Sequence, residues 1–151
     1  MGRYATGVTV ITTSGPDGRL EGVTANSFAT VSLDPPLVLW SLRRDAGSFA
    51  NFSAAGHFAV NVLAVEQRDI SQHFAAPSLN KLADVAYETG LGGCPLLPHT
   101  IAHFECTRET SIDGGDHVIF IGRVLRASFR DGEPLVFSGG AYQRAVELGK
   151  S

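Results

Sequence analysis

The sequence predicts a mainly β protein, a closed or nearly closed antiparallel barrel with a few short peripheral helices. About seven segments have strand composition, and they follow one another through tight turns without long helices between them. Neither a glycine-rich GxGxxG loop nor a Walker loop occurs in the chain. Because a Rossmann-type sheet alternates strands with long helices, these observations favour the barrel over that fold.

Length and charge limit the classes of function. The chain has 151 residues, which predicts a single domain over residues 1–151. Its net charge of −3 argues against nucleic acid as the main partner. No apolar stretch has the length of a membrane span, and the N-terminus lacks a secretory pattern. We therefore expect a cytoplasmic protein that contacts no membrane.

The cysteines and histidines do not predict a metal site. Cys94 and Cys106 lie in different segments without metal-type spacing, and the five histidines are scattered. Free thiols in a reducing cytosol are the plainer interpretation of the cysteines.

The first forty residues predict a hairpin followed by a buried strand. Residues 4–13 are rich in β-branched side chains and end at a Gly/Pro turn, and residues 20–28 form the second strand, which residues 30–33 continue. The Asp34-Pro35-Pro36 run should stop a regular ladder, and the apolar run 37–42 then predicts a buried strand.

The remaining segments are predicted from their periodicity and turns. We expect a helix over 48–55 with Ser48 as N-cap and Gly56 as C-cap, and a second over 66–74 with Ile70 and Phe74 on one face. Residues 75–98 predict a long loop, typical of a lid or an interface element. Alternation over 102–107 predicts a strand with Ala102, Phe104 and Cys106 on its buried face. The other predicted strands cover residues 57–63, 117–129 and 135–137, and a closing segment covers residues 139–142.

Several stretches, taken in chain order, carry a resemblance to a known family. They are Thr6–Thr13, Gly22–Phe28 with Val31–Val38, Phe58–Leu63, Gly115-Asp116-His117 and Gly140–Tyr142. Along almost its whole length the chain resembles the short-chain flavin reductases, whose fold is the FMN-binding split barrel. Members of that family usually carry a helical segment before the first block, where only residues 1–5 stand here. Either this protein is short or its start is missing, so these residues do not decide whether such a segment contacts the flavin or a second subunit.

The resemblance implies where the flavin ring binds. Thr24, Ala25, Asn26 and Ser27 match the segment that meets the edge of the isoalloxazine ring, whose carbonyl and N–H groups suit neutral polar partners. Ser32 and the following turn would form a further wall. The alternative interpretation of the polar run is an ordinary strand end.

The resemblance also implies a phosphate loop and a nicotinamide site. Ser41, Leu42, Arg43, Arg44 and Ser48 fall in the family's loop around the flavin phosphate. A helix that begins near Ser48 would offer free N–H groups, and one of the two arginines would add charge. Asp116 and His117 match the GDH signature associated with the nicotinamide nucleotide, which makes His117 the candidate catalytic residue. Further cofactor contacts are assigned to Phe74, Lys81 and Tyr142.

The implied activity is hydride transfer from NADH or NADPH to FMN or FAD, with the reduced flavin passed to a partner monooxygenase. Two alternatives stay open: a flavoprotein of the same fold that reduces a corrinoid or metal complex, and a non-enzymatic flavin- or haem-binding module. The resemblance and the apolar strand around Trp40 also suggest a homodimer.

Overall fold

The computed structural model of the protein describes residues 2–149. The strands among these residues are β1 Thr6–Gly7, β2 Thr9–Ser14, β3 Leu20–Ala25, β4 Ala29–Leu33, β5 Pro36–Arg43, β6 His57–Val62, β7 Glu88–Thr89, β8 Pro95–Leu96, β9 Ala102–Gly114, β10 His117–Phe129, β11 Leu135–Ser138 and β12 Ala141–Arg144. Seven form the main sheet in the order β3-β2-β6-β9-β10-β5-β4, and β1-β11-β12 form a smaller sheet. Every pairing of these strands is antiparallel, which confirms the predicted fold class.

Two α-helices lie among the described residues, α1 Phe49–Ala54 and α2 Arg68–Ala75. Both predicted helices are confirmed to within two residues at each end. Ser48 occupies the N-cap of α1, but its side chain makes no capping hydrogen bond, and the C-cap is Ala55 rather than Gly56. No helix of residues 2–149 has the length and apolar character of a membrane span.

The proline run interrupts the ladder for two residues only. β4 ends at Leu33 and β5 begins at Pro36, and these two residues face each other across the hairpin. The expectation that all three of Asp34, Pro35 and Pro36 lie outside the ladder is therefore wrong for Pro36. A proline is tolerated there because it is the first residue of its strand.

The main core lies inside the barrel and is centred on Trp40. Val38, Trp40 and Leu42 point inward from β5, while the residues between them are only partly buried. The Trp40 ring stacks on Phe120 at 5.1 Å and meets the edges of Phe52 and Phe58. Trp40 is 1% exposed within this single chain. Its apolar strand therefore needs no partner subunit, contrary to the inference drawn from the sequence.

A second core fills the space between the outer face of the sheet and α2. Phe74 is fully buried there with Val10, Leu63 and Leu97, and Ile70 packs at its edge. The predicted shared face of Ile70 and Phe74 is confirmed. This helix thereby covers the outer side of β3.

Much of the long loop is fixed to the sheet by buried polar side chains. Thr12 Oγ1 donates to Pro95 O at 2.6 Å, and Asn61 Oδ1 accepts from the Leu97 N–H at 2.9 Å. Gln67 Nε2 donates to Pro98 O at 2.9 Å. A segment held by so many buried bonds does not act as a lid, so that expectation is wrong for residues 90–98.

Glu105 belongs to the same set of contacts, although alternation along its strand places it on the exposed face. It is 4% exposed, because the loop covers it: Glu105 Oε1 accepts from the Leu91 N–H at 2.9 Å. Arg126 Nη2 donates to the same oxygen at 2.9 Å, and Arg126 Nε donates to Oε2. The arginine lowers the pKa of the Glu105 carboxyl, and the Leu91 N–H adds to this against the effect of burial.

The lowered pKa gives a pH-dependent prediction. Glu105→Gln is expected to reduce the free energy of unfolding at pH 7 by about 1–2 kcal/mol, because the three hydrogen bonds that the charged carboxylate accepts are weakened or lost. The carboxylate contributes fully above its unfolded-state pKa of about 4.3, and the contribution disappears as the pH falls through the folded-state value. Urea unfolding should therefore show wild type and variant converging in acid. Glu109→Gln, which breaks an exposed pair with Arg123, is the control, with an effect below about 0.5 kcal/mol. An equal effect of the two substitutions, or one independent of pH, would contradict this account.

Candidate functional site

A cleft of about 670 Å³ opens where two neighbouring strands separate. β2 and β3 remain paired as far as Thr9 and Ala25. Before Thr9 the chain leaves this partner, and β1 pairs with β11 instead. After Ala25 the chain turns away to β4, which pairs with β5. The gap between the two diverging paths is the split in the barrel, and its lining residues are Tyr4, Ala5, Thr6, Gly7, Val8, Thr9, Asn26, Ser27, Phe28, Ala29 and Val62.

The lining of this cleft is apolar with a few neutral polar groups. No lysine, arginine, histidine or acidic residue is among the lining residues. Asn26 is exposed and lines the cleft, and its side-chain amide offers both a donor and an acceptor. Thr6 Oγ1 is buried and has no partner among the same residues. A flat neutral ring with polar edges fits such a lining, because it needs fixed donors and acceptors and no counter-charge.

β5 connects the cleft to the other predicted site residues. The Ser41 N–H donates to Ser27 Oγ at 2.9 Å, which ties the cleft wall to β5. Arg43 lies two residues further along and faces His117 across the ladder. Two residues of strand span roughly 7 Å. The structure therefore brings Ser27, Ser41, Arg43 and His117 into one strip.

Both arginines of the predicted phosphate loop are already paired with carboxylates. Arg43 donates to Asp45 at 2.9 Å and 3.1 Å, which raises the pKa of the guanidinium and lowers that of the carboxyl. Arg44 donates to Asp113 at 2.6 Å and to Gly115 O at 3.0 Å. With Asp116 close by, three carboxylates face two guanidinium groups, which offsets the positive charge that an arginine was expected to add here. The six-residue α1, with no side-chain cap from Ser48, adds little.

His117 is held by its neighbour in the chain. Its Nδ1 lies 2.7 Å from Asp116 Oδ1, and this contact lowers the pKa of the Asp116 carboxyl. Since a carboxylate accepts, Nδ1 carries the proton and Nε2 is left for another partner. The imidazole is 41% exposed, at the start of β10.

Three predicted cofactor residues have their side chains in the protein interior. Ala25 and Leu42 belong to the barrel core at 9% and 5% exposure, and Phe74 on α2 is completely buried in the second core. These side chains cannot meet a ligand without unpacking the core, so the assignment of their side chains to cofactor contact is corrected. The backbone at these positions is unaffected by this conclusion.

Other predicted residues contact α2 or the edge strand instead of the cleft. Lys81 Nζ donates to Phe74 O at 2.9 Å and thereby caps the end of α2, and burial lowers the pKa of this amine. Thr24 Oγ1 donates to Ser71 O at 2.7 Å, and the Tyr142 hydroxyl bonds to Ser71 Oγ. Ser32 lies on the edge strand β4. None of these four predicted residues lines the cleft.

Sequence reasoning missed one entire wall of the cleft, formed by residues 4–9. The resemblance covers residues 6–9 of this wall, yet no site residue was assigned to it. Phe28, Ala29 and Val62 were missed as well. The local signal is weak: the break between β1 and β2 at Val8 is a single residue inside a run of strand formers.

The fold and the cleft define a class of protein, a split β-barrel with a neutral cleft at the opening of its sheet. A family model described as "Flavin reductase like domain" matches residues 1–145. The chain belongs to this flavin reductase-like family, which confirms the resemblance predicted from the sequence.

Relatives and a solved structure agree with this assignment. The chain is 48% identical over 144 residues to "FMN reductase (NADH) SmoA" of Agrobacterium fabrum, which covers 95% of this chain and 82% of that protein. It is 43% identical to "Flavin-dependent trigonelline monooxygenase, reductase component" of Acinetobacter baylyi, with 94% of this chain and only 46% of that protein covered. The solved structure "Streptomyces globisporus C-1027 NADH:FAD oxidoreductase SgcE6 in complex with NAD and FAD fragments" superposes with a TM-score of 0.90 at 40% identity, covering 96% of this chain and 88% of that one.

Proposed function

We propose that this protein is an NADH:flavin oxidoreductase that reduces FMN or FAD and passes the reduced flavin to a separate monooxygenase. The observation that carries the proposal is the neutral cleft at the split of the barrel, in a chain similar to reductases named for NADH with FMN or FAD. The reaction moves two electrons and one hydrogen nucleus as hydride from the nicotinamide to the flavin, and a proton comes from water. Bound flavin supplies the hydride-accepting atom, so the protein's task is to bind, orient and exclude water.

The cleft residues divide into polar ones that would hydrogen-bond to the edge of the flavin ring and apolar ones that would exclude water from it. The Asn26 amide offers both a donor and an acceptor, and the backbone beside it adds further groups. Val8, Phe28 and Val62 form apolar surface against which a ring would pack. Thr6 Oγ1 lacks a partner among residues 2–149, and the wall it belongs to would lie along the same ring.

His117 is proposed to contact the nicotinamide nucleotide. Asp116 holds the imidazole with Nε2 directed away from the carboxylate, and the strip along β5 places it within roughly 7 Å of Ser41. In this position the imidazole can stack on or hydrogen-bond to a nucleotide that lies over the cleft.

Arg43 is the better candidate for the flavin phosphate. Arg44 also bonds through its own N–H to Asp116 O at 2.9 Å, so its task is to hold the loop on the β9–β10 turn. Arg43 is paired only with Asp45 among residues 2–149, in an exposed contact that contributes little to stability.

The ion pair between Arg43 and Asp45 predicts opposite effects of two substitutions on FMN affinity. Asp45→Asn is expected to tighten FMN binding about three-fold, because it frees the Arg43 charge, and Arg43→Ala to weaken it about three-fold or more. Riboflavin, which lacks the phosphate, is the matched ligand and should bind all three proteins equally. Fluorescence titration measures each affinity. Parallel changes with riboflavin, or no change with FMN, would remove Arg43 from the site.

The activity itself is tested with purified protein, NADH or NADPH, and FMN or FAD, by following nicotinamide absorbance. Oxidation of NADH well above the protein-free rate is expected with at least one flavin. No added oxidation with any of the four pairs would overturn the proposed function.

Homodimer formation and a cytoplasmic location complete the proposal. Val31 and Leu33 on β4, and Leu125 and Phe129 on β10, expose large apolar side chains that a second copy would cover. Sedimentation should show a dimer at micromolar concentration, and a monomer alone would contradict this part.

The cytoplasm supplies NADH and keeps thiols such as the free Cys94 and Cys106 reduced.

A further inference from the structure

We propose that the hydrogen bond between Ser71 and Tyr142 sets the width of the cleft, which makes these two side chains positioning residues for the flavin. The inference rests on the proposed function, since it concerns the same cleft. Neither residue lines the cleft. Both act on it through the elements that form its two walls.

The first wall is connected to Tyr142 through the small sheet. Thr6 of β1 faces Phe137 of β11, and Phe137 in turn faces Tyr142 of β12. The rings of Phe137 and Tyr142 meet edge to face with centroids 5.4 Å apart. A movement of Tyr142 therefore moves the strand pair that carries residues 6 and 7.

The second wall is connected to Ser71 through β3. Ser71 O accepts from Thr24 Oγ1 at 2.7 Å, and Thr24 lies two residues before Asn26. Ser71 is fully buried on α2, so its own position is fixed by packing. The Tyr142 hydroxyl and Ser71 Oγ, 2.8 Å apart, join the two walls behind the cleft.

A direct link between the walls lies at the closed end of the cleft. There Thr9 Oγ1 donates to Ala25 O at 2.7 Å, next to the point where β2 and β3 separate. With this end fixed, the angle between the walls depends on what holds the small sheet. The Leu135 N–H donates to Leu63 O at 3.0 Å, and Val8 and Leu135 pack in the second core. The Tyr142–Ser71 bond adds a directional side-chain contact to α2.

Tyr142→Phe and Ser71→Ala test the inference with little risk to folding. The phenyl ring retains the contact with Phe137 and the place under the Arg68 guanidinium, which lies 5.3 Å from the ring centroid of Tyr142. Each substitution is expected to weaken riboflavin binding about five-fold, the effect of one net hydrogen bond, and to raise the KM for flavin with kcat unchanged. The double variant should weaken binding no further than either single one, because both remove the same bond.

Controls separate this inference from the proposed function and from a purely structural role. Tyr87→Phe, at a tyrosine in a separate groove with Leu96 and His99, should bind riboflavin as wild type does. Unchanged affinity in both Tyr142→Phe and Ser71→Ala, or additive losses that parallel a fall in the urea midpoint, would overturn the inference. A wild-type protein that binds no riboflavin would instead overturn the proposed function on which it rests.

Discussion

Ala29→Trp is expected to weaken flavin binding at least about 100-fold, equivalent to ~2.7 kcal/mol. Ala29 is the first residue of β4 and lines the cleft opposite the wall of residues 4–9. An indole at this position occupies the space that the ring requires. The side chain is exposed, so the larger residue need not disturb either core. Riboflavin titration measures the loss, and urea unfolding checks that stability is retained.

Thr30→Trp is the matched control for this substitution. Thr30 is the next residue of the same exposed strand, and its side chain projects to the opposite face. It does not line the cleft. Equal losses from both tryptophans would mean that β4 acts on the flavin through something other than the cleft, and no loss from Ala29→Trp would place the flavin elsewhere.

Asn61→Leu is expected to lower the free energy of unfolding by about 3 kcal/mol. Asn61 is fully buried, and its Nδ2 donates to Val10 O at 3.0 Å while its Oδ1 accepts from the Leu97 N–H. Leucine has nearly the same shape but leaves both backbone groups buried without these partners. It also removes the contact with Thr12 Oγ1, which holds Pro95.

Urea unfolding measures this loss, and Asn51→Leu provides the comparison. Asn51 donates to Arg19 O at 2.7 Å in an exposed contact, so its replacement should cost less than about 1 kcal/mol. If Asn61→Leu lowers the free energy of unfolding no more than Asn51→Leu does, the buried polar side chains do not hold the loop in place. Residues 90–98 would then be free to act as a lid.

The local sequence was sufficient to predict most strands and both helices. Turn residues and β-branched runs fix where strands begin and end, and the spacing of Ile70 and Phe74 fixes the buried face of α2. Local patterns fail where a distant segment covers a residue. Glu105 is buried because the loop at Leu91 folds over it, which the alternation along β9 does not reveal.

For the candidate site, sequence reasoning was sufficient only to predict which segments of the chain lie near one another. The resemblance pointed to Asn26, Ser41 and His117, and the antiparallel register brings their segments together. Side-chain direction was not predicted for Ala25 and Leu42, which face the core. The apolar run 37–42 does not reveal which alternate set of its side chains points inward. Arg44 meets Asp113, 69 residues away, and the wall at Thr6 depends on pairing with Phe137. Long-range register of this kind leaves no local mark on the sequence.

Hydrogen exchange with and without riboflavin tests the central claim, that the flavin ring lies in the cleft at the split of the barrel. We expect slower exchange in peptides that cover residues 4–9 and 26–29 when riboflavin is present. Slower exchange confined to the groove between residues 66–70 and 84–99, with the two cleft walls unchanged, would contradict the account.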